Sequence, residues 1–214
     1  MFVPRHYEPP SGEHVVEVVR KNALALLVSA GTAGMSATHL PVVPESRDYG
    51  NGTDSLVGAT LLGHMNRANP HWKTLTTGSE GLLVFQGPNA YICPSVYETS
   101  PVAPTWNFVS VHLRGTIEII EGAEQTMAVI KHTVEFLDNN LGHGWDMTDS
   151  MGYFERILPG VGAFRFQVES ADSMFKLSQD MPPSLREKIC HRFEESNNPH
   201  ANSLVEHMRA ALPH

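Results

Sequence analysis

Cysteine is scarce in this chain of 214 residues: Cys93 and Cys190 stand far apart and form no CxxC pair. That excludes a disulfide framework and makes a reducing cytoplasm the expected setting. Long hydrophobic runs are missing too. No stretch approaches the ~18 apolar residues of a membrane span, and the N-terminus carries no basic-then-apolar signal. Positive charge is in deficit, with 15 Lys and Arg against 23 Asp and Glu for a net charge of −8. Electrostatics therefore disfavour a phosphate-backbone partner, and no helix-turn-helix pattern offsets that. There is no GxGxxG turn and no Walker loop, so dinucleotide and P-loop folds find no support. Repeats, low-complexity segments and charge blocks are also absent, as is a Ser-His-Asp order or a close carboxylate pair placed for acid–base work.

What remains is an ordinary globular composition, 41% hydrophobic and 18% charged, long enough for one domain with a sizeable core. Twelve histidines are many for this length; those near the termini are expected to be merely exposed. Ser11 can cap a helix over 12–21, with Val15, Val16, Val18 and Val19 as its apolar face. Strands are expected over 23–30, 35–43, 56–63, 81–86, 90–93, 106–120 and 161–168, with 174–178 short and extended. Gly31 to Gly34 reads as a hairpin turn, 44–54 as a polar loop, and Gly87-Pro88-Asn89 as a further turn. Pro70 can open a short helix carrying Trp72. Helices are expected over 122–139, with Met127, Ile130, Val134 and Leu137 inward, and over 153–158, 182–193 and 201–212. Six or seven strands on short turns with helices at the edges describe a mainly β fold, closed or nearly closed into a barrel. The expected organisation is one domain over 1–214, with a helical C-terminal extension from about 182.

The most informative run is Leu61 to Trp72. An apolar stretch ends on Gly63, then His64, Arg67, Asn69, His71 and Trp72 follow. A strand end there would bring an imidazole, a fixed cation and an aromatic plate to one small volume, the set a planar anionic cofactor needs. His64 is either an axial ligand or cofactor contact, or a strand-end histidine satisfied by a backbone carbonyl. Arg67 suits a carboxylate or phosphate, or is a surface charge. Alternation puts Trp106, Phe108, Ser110 and His112 on one face of a strand, where Trp106 either lines a pocket or is core. Lys176 and Gln179 can hold an anionic group, or Lys176 is solvated. Cys93 ranks below histidine as a heme ligand and reads more naturally as a small apolar residue.

Five ordered segments carry a resemblance: Met1 to Tyr7, Gly63-His64 through Trp72, Gly87 to Ile92, Pro104 to Phe108 with Val111-His112, and Lys176 to Gln179. Together they resemble the PaiB-like family of FMN-binding proteins, across residues 1 to about 185. The resemblance implies a split β-barrel of the flavin-reductase and pyridoxamine-phosphate-oxidase type, and a homodimer with cofactor sites at the subunit interface. Where typical members carry Ser, Trp, Trp and Asn, this chain has Cys93, Val96, Phe175 and Asp180. Those departures favour a changed occupant or chemistry.

The chain also resembles a diverged branch of that family, the heme-dependent piperazate synthases, which close side-chain N-hydroxylated ornithine into a cyclic hydrazine with loss of water. That resemblance implies heme b with His64 as axial ligand and metal contact, and an amino-acid substrate. Trp106 and Phe108 are then candidates to pack the macrocycle; Arg67 and Lys176 are candidates for the propionates or the substrate carboxylate. A flavin-binding regulator, an FMN-dependent oxidoreductase and a heme-cleaving enzyme are the competing readings.

Overall fold

The computed structural model describes residues 1–31, 34–46 and 55–211. Six antiparallel strands close into a barrel in the order β1-β2-β3-β6-β5-β4, with β4 returning to pair with β1. They are β1 (Leu24–Gly31), β2 (Gly34–Pro44), β3 (Thr60–Asn66), β4 (Ser79–Ile92), β5 (Thr105–Ile120) and β6 (Val161–Lys176). Among the described residues five α-helices flank the barrel: α1 (Gly12–Lys21), α2 (Ala123–Leu141), α3 (Met151–Ile157), α4 (Pro183–Glu194) and α5 (Pro199–Ala210). Closure leaves every strand paired on both sides, which removes the exposed edges that an open sheet must protect.

The core follows from strand alternation. Leu27, Leu61, Leu83, Phe85, Leu113, Ile117, Phe164, Phe166 and Phe175 are fully buried, each from a position whose neighbours in sequence face outward. Glycine makes room for the bulkiest of them. A Cβ on Gly63 would come within 2.4 Å of the Phe164 ring, so the aromatic side chain occupies the space a larger residue would need.

Several elements differ from the sequence expectation. The apolar run 56–62 is not all strand. Gly58 turns the chain at φ +86, and β3 begins only at Thr60, paired with Gln167. His64 is therefore inside a strand, opposite Ala163, and not at its end. Gly87-Pro88-Asn89 is no turn. β4 runs through it, and the pairing with β5 slips between Gln86 and Asn89. Pro88 lacks an N–H and is accommodated in that slip, while Gly87 lets β4 approach Val109 closely. β6 likewise continues past Val168 to Lys176, with an irregularity opposite Arg114 and Gly115. Gly115 is required there because a Cβ would meet the Gln167 carbonyl at 1.9 Å.

The inward face of α2 is Thr126, Val129, Ile130 and Thr133; Met127, Val134 and Leu137 are only half-buried. Ser11 stands at the start of α1 but its hydroxyl pairs with Nδ1 of His14 at 2.8 Å rather than with backbone. Trp72 opens a short 3-10 turn, Trp72–Thr74, two residues after Pro70. The middle of the expected 31–34 turn, most of the 44–54 loop and Leu212 lie outside the described residues.

Candidate functional site

The run from His64 to Trp72 divides into two jobs. Part of it builds the barrel. His71 is 3% exposed, and both its ring nitrogens are engaged: Nε2 with the Ser29 hydroxyl at 2.8 Å, Nδ1 with the Thr38 hydroxyl at 2.9 Å. Asn69 completes that network, accepting from the His71 amide at 3.0 Å and donating to Thr38 at 3.2 Å. Burial also lowers the His71 pKa, so its neutral ring suits these contacts. Trp72 lies flat against Gly162, where a Cβ would meet its ring at 2.3 Å. Arg67 stacks over the Trp72 ring at 5.7 Å, and its Nε donates to the Val161 carbonyl at 2.8 Å. The expected aromatic plate thus packs on the barrel, and His71 is a structural histidine.

The other part faces a cavity. His64 and Asn69 line a space of about 540 Å³ with Thr38, His39, Asn66 and Ile157. Nδ1 of His64 is buried with no hydrogen-bond partner, a costly state for a polar atom, on the order of 1–3 kcal/mol. Burial alone lowers the His64 pKa, which keeps the imidazole neutral and able to ligate or accept. A metal-bound histidine ordinarily donates its second N–H to an acceptor behind it; His64 has none among the described residues. The donor set otherwise fits a ligand rich in polar edges, since Thr38, His39, Asn66 and Asn69 bring hydroxyl, imidazole and amide groups to one wall. Arg67 does not line this space, but its Nε donates to the carbonyl of Val161, which does.

Lys176 is elsewhere. It lies at the far end of β6, where its Nζ donates to the Thr105 hydroxyl at 2.6 Å and stands 5.7 Å from the Tyr7 ring. A cavity of about 530 Å³ opens there, lined by Tyr7, Tyr97, Thr105, Ser178 and Asp180 among others. Burial, then the neighbouring Asp180 carboxylate, pushes the Tyr7 phenol up to about 12. Among the described residues Lys176 has no carboxylate within ion-pair distance, so its charge is available to an incoming anion. Ala163, opposite His64, and Lys176 are separated by roughly 40 Å of strand contour at ~3.3 Å per residue. In one copy of the chain His64 and Lys176 line different cavities.

The remaining expected residues spread along β5. Phe108 is half-buried opposite Asn89 and Lys176. His112 lies opposite Val84 and Asp172, its pKa lowered by burial and by the N-terminal ammonium. Trp106 is not core: it is 51% exposed and meets Tyr91 edge-on at 5.8 Å. Gln179 folds back on its own loop, accepting from the Leu177 amide and donating to the Phe175 carbonyl. Reading the sequence missed Thr38, His39 and Tyr97; Tyr7 figured only within a matching segment, and Asp180 only as a departure from the family pattern. The signal for the first pair was faint. Thr38 and His39 sit in a strand adjacent to β3, and only the β2–β3 pairing says so. No three His, Cys, Asp or Glu residues converge as a metal cluster among the described residues.

Comparison with known proteins adds four findings. A family model described as "Putative FMN-binding domain" matches residues 1–170. Protease synthase and sporulation protein PAI 2 of Bacillus subtilis is 28% identical over 99% of this chain and 98% of that protein. Among solved structures, the FAD and heme binding protein from Mycobacterium smegmatis superposes with a TM-score of 0.54 at 12% identity, covering 84% of this chain and 77% of that one. A conserved hypothetical protein from Mycobacterium tuberculosis gives 0.54 at 13% identity, covering 85% and 94%. At such identities the structural likeness speaks to the fold.

Proposed function

This chain belongs to the family described as "Putative FMN-binding domain", and from that membership we propose that it is a flavin-binding redox protein whose cofactor sits between two copies of the chain. The observation that carries the reading is the placement of polar groups and charge. The His64 cavity offers neutral donors and acceptors, with Arg67 bonded to the carbonyl of its lining residue Val161; Lys176, with no carboxylate in ion-pair distance among the described residues, stands at the opposite end of β6. A planar, hydrogen-bonding ring with a phosphate tail calls for both. Two copies related by a twofold axis would supply His64, Asn69 and Thr38 from one and Lys176 from the other. FMN, when bound, supplies reversible one- or two-electron transfer at its ring. The chain's own residues do the rest. Thr38 and Asn69 are held rigid by the His71 network, which fixes their positions before a ligand arrives and lowers the ordering cost of binding. His64, neutral near pH 7, can accept a hydrogen bond without an opposing charge. Leu40, Pro41, Met65 and Ile157 give the cavity its apolar lining.

A second reading rests on one observation, the buried unpaired nitrogen of His64. In that reading the resident group is heme b, His64 is its protein ligand, and the protein closes side-chain N-hydroxylated ornithine into piperazate with loss of water. The fold neighbour from Mycobacterium smegmatis is named for both FAD and heme, so the architecture is compatible with either group.

The absorption spectrum of the purified protein separates the two. A two-banded flavin spectrum, released as FMN on denaturation, is expected. A Soret band that disappears in His64→Ala would overturn the flavin reading in favour of heme. In that event, mass spectrometry of incubations with hydroxyornithine and with ornithine checks the chemistry. Ornithine should be inert, because its terminal nitrogen carries no leaving group.

A further inference from the structure

We infer that the cavity between the β4–β5 wall and helices α4 and α5 is a second binding site, and that it takes a small aromatic carboxylate. It encloses about 460 Å³, within the range of small-molecule sites. Its wall is aromatic. Tyr91 and Trp106 are cross-strand partners on β4 and β5, and their rings meet edge-on at 64°. Both are about half exposed, 49% and 51%. Behind them, Ile92, Ile189 and Phe193 are buried and give the cavity an apolar floor.

The charge at this cavity runs against the rest of the molecule. The protein carries 23 acidic residues and a net charge of −8, yet no Asp or Glu is among the residues lining this space, which include Arg192 and His200. The Arg192 guanidinium makes no ion pair among the described residues. The first turn of α5 also borders the cavity through Asn198, His200 and Ala201. The Asn198 side chain takes only the His200 amide, at 3.0 Å, and the start of a twelve-residue helix adds a partial positive charge. One fixed cation with planar, bidentate geometry selects a carboxylate. The Tyr91–Trp106 pair selects a flat apolar body, which stacks or packs edge-on against such rings. A cationic ligand is disfavoured by Arg192, and a purely aliphatic acid makes poor use of the two rings.

The cavity holds its own reporter. Cys93 lines it and is exposed, while Cys190 is buried. The Ser95 hydroxyl donates to the Cys93 sulfur at 3.2 Å. Modification of the full-length, cofactor-loaded protein by the neutral reagent N-ethylmaleimide therefore reads Cys93, with mass spectrometry locating the adduct. We expect 1-naphthoate to slow this reaction saturably, by about tenfold at about ten times its Kd. The uncharged 1-naphthamide and the non-aromatic cyclohexanecarboxylate should protect far less. Arg192→Gln should lose the protection by naphthoate, each variant being compared with itself without ligand, and Trp106→Ala should weaken it.

Any of the following results overturns the proposal. One is no saturable protection. Another is equal protection by the amide, or protection unchanged in Arg192→Gln. A third is protection of the cofactor-free protein by FMN, with naphthoate displacing the FMN, which makes this the cofactor site. The last is a Cys93 that is unreactive in the dimer yet reactive in dissociated chains, which makes the cavity a subunit interface.

Discussion

Trp72 and Gly162 are in such close contact that a Cβ at position 162 would stand 2.3 Å from the indole ring. Gly162 follows Val161, which opens β6, holds Arg67 through its carbonyl and lines the His64 cavity, so the contact helps to position that wall. Gly162→Ala is expected to push the indole off the barrel and to cost about 1–3 kcal/mol, the usual penalty for overpacking. Denaturant unfolding measures the loss, and tryptophan fluorescence should report a more solvated ring.

The two histidines of the same run should behave oppositely. His71→Ala removes two side-chain hydrogen bonds at a site 3% exposed, which takes the ring from the Ser29 hydroxyl and leaves Thr38 with Asn69. A loss of about 2–4 kcal/mol is expected, as for a broken buried polar network. His64→Ala removes an atom that is already unpaired, so the ligand-free protein should unfold within about 1 kcal/mol of the parent. Cofactor retention should fall with His64→Ala. Thermal melts of the ligand-free variants, together with cofactor content after gel filtration, decide the matter. Equal destabilisation by both would show that His64 is structural.

Subunit complementation tests the shared site. His64→Ala and Lys176→Ala should each lose cofactor binding as pure preparations. Mixed and re-associated, they should recover about one quarter of the sites, the statistical share when a twofold dimer reassorts at random. No recovery would mean that each copy builds its own site, or that one of the two residues takes no part.

Stability should decline on mild acidification. His64, His71, His112 and His207 all have pKa values lowered below 6.5, chiefly by burial. The unfolded chain therefore takes up protons at a higher pH than the folded one. The resulting stability is complete above the unfolded value of about 6.5 and is lost as pH falls from there toward the lowered folded values. The melting temperature should drop between about pH 7 and pH 5, and His64→Ala should flatten the drop. A melting temperature constant across that range would contradict the burial assigned to these rings.

The barrel was legible because strand alternation is a local property. Val109, Val111 and Leu113 announce one buried face of β5 whatever they pack against, and valine clustering marks the inner side of α1 in the same way. What local pattern hides is continuity. Gly87-Pro88-Asn89 and the residues after Val168 look like breaks, because a bulge and a turn use the same residue types. Only the partner strand, through the pairings of Asn89 with Phe108 and Lys176 with Phe108, shows that the ladders resume.

The candidate site divides along the same line. Sequence by itself determined the chemistry available: an imidazole at His64, cations at Arg67 and Lys176, aromatic rings at Trp72 and Trp106, and no dinucleotide loop. Tertiary structure decided which of these groups line a cavity. It turned His71 into the hub of a buried network and laid Trp72 on Gly162. It brought His39 to His64 from a neighbouring strand, and it set Lys176 at the opposite end of β6. The reason is geometric. Residue spacing fixes a side chain's face over a few positions of one strand, whereas its neighbours across the barrel depend on register and closure, which are set by the packing of all six strands at once.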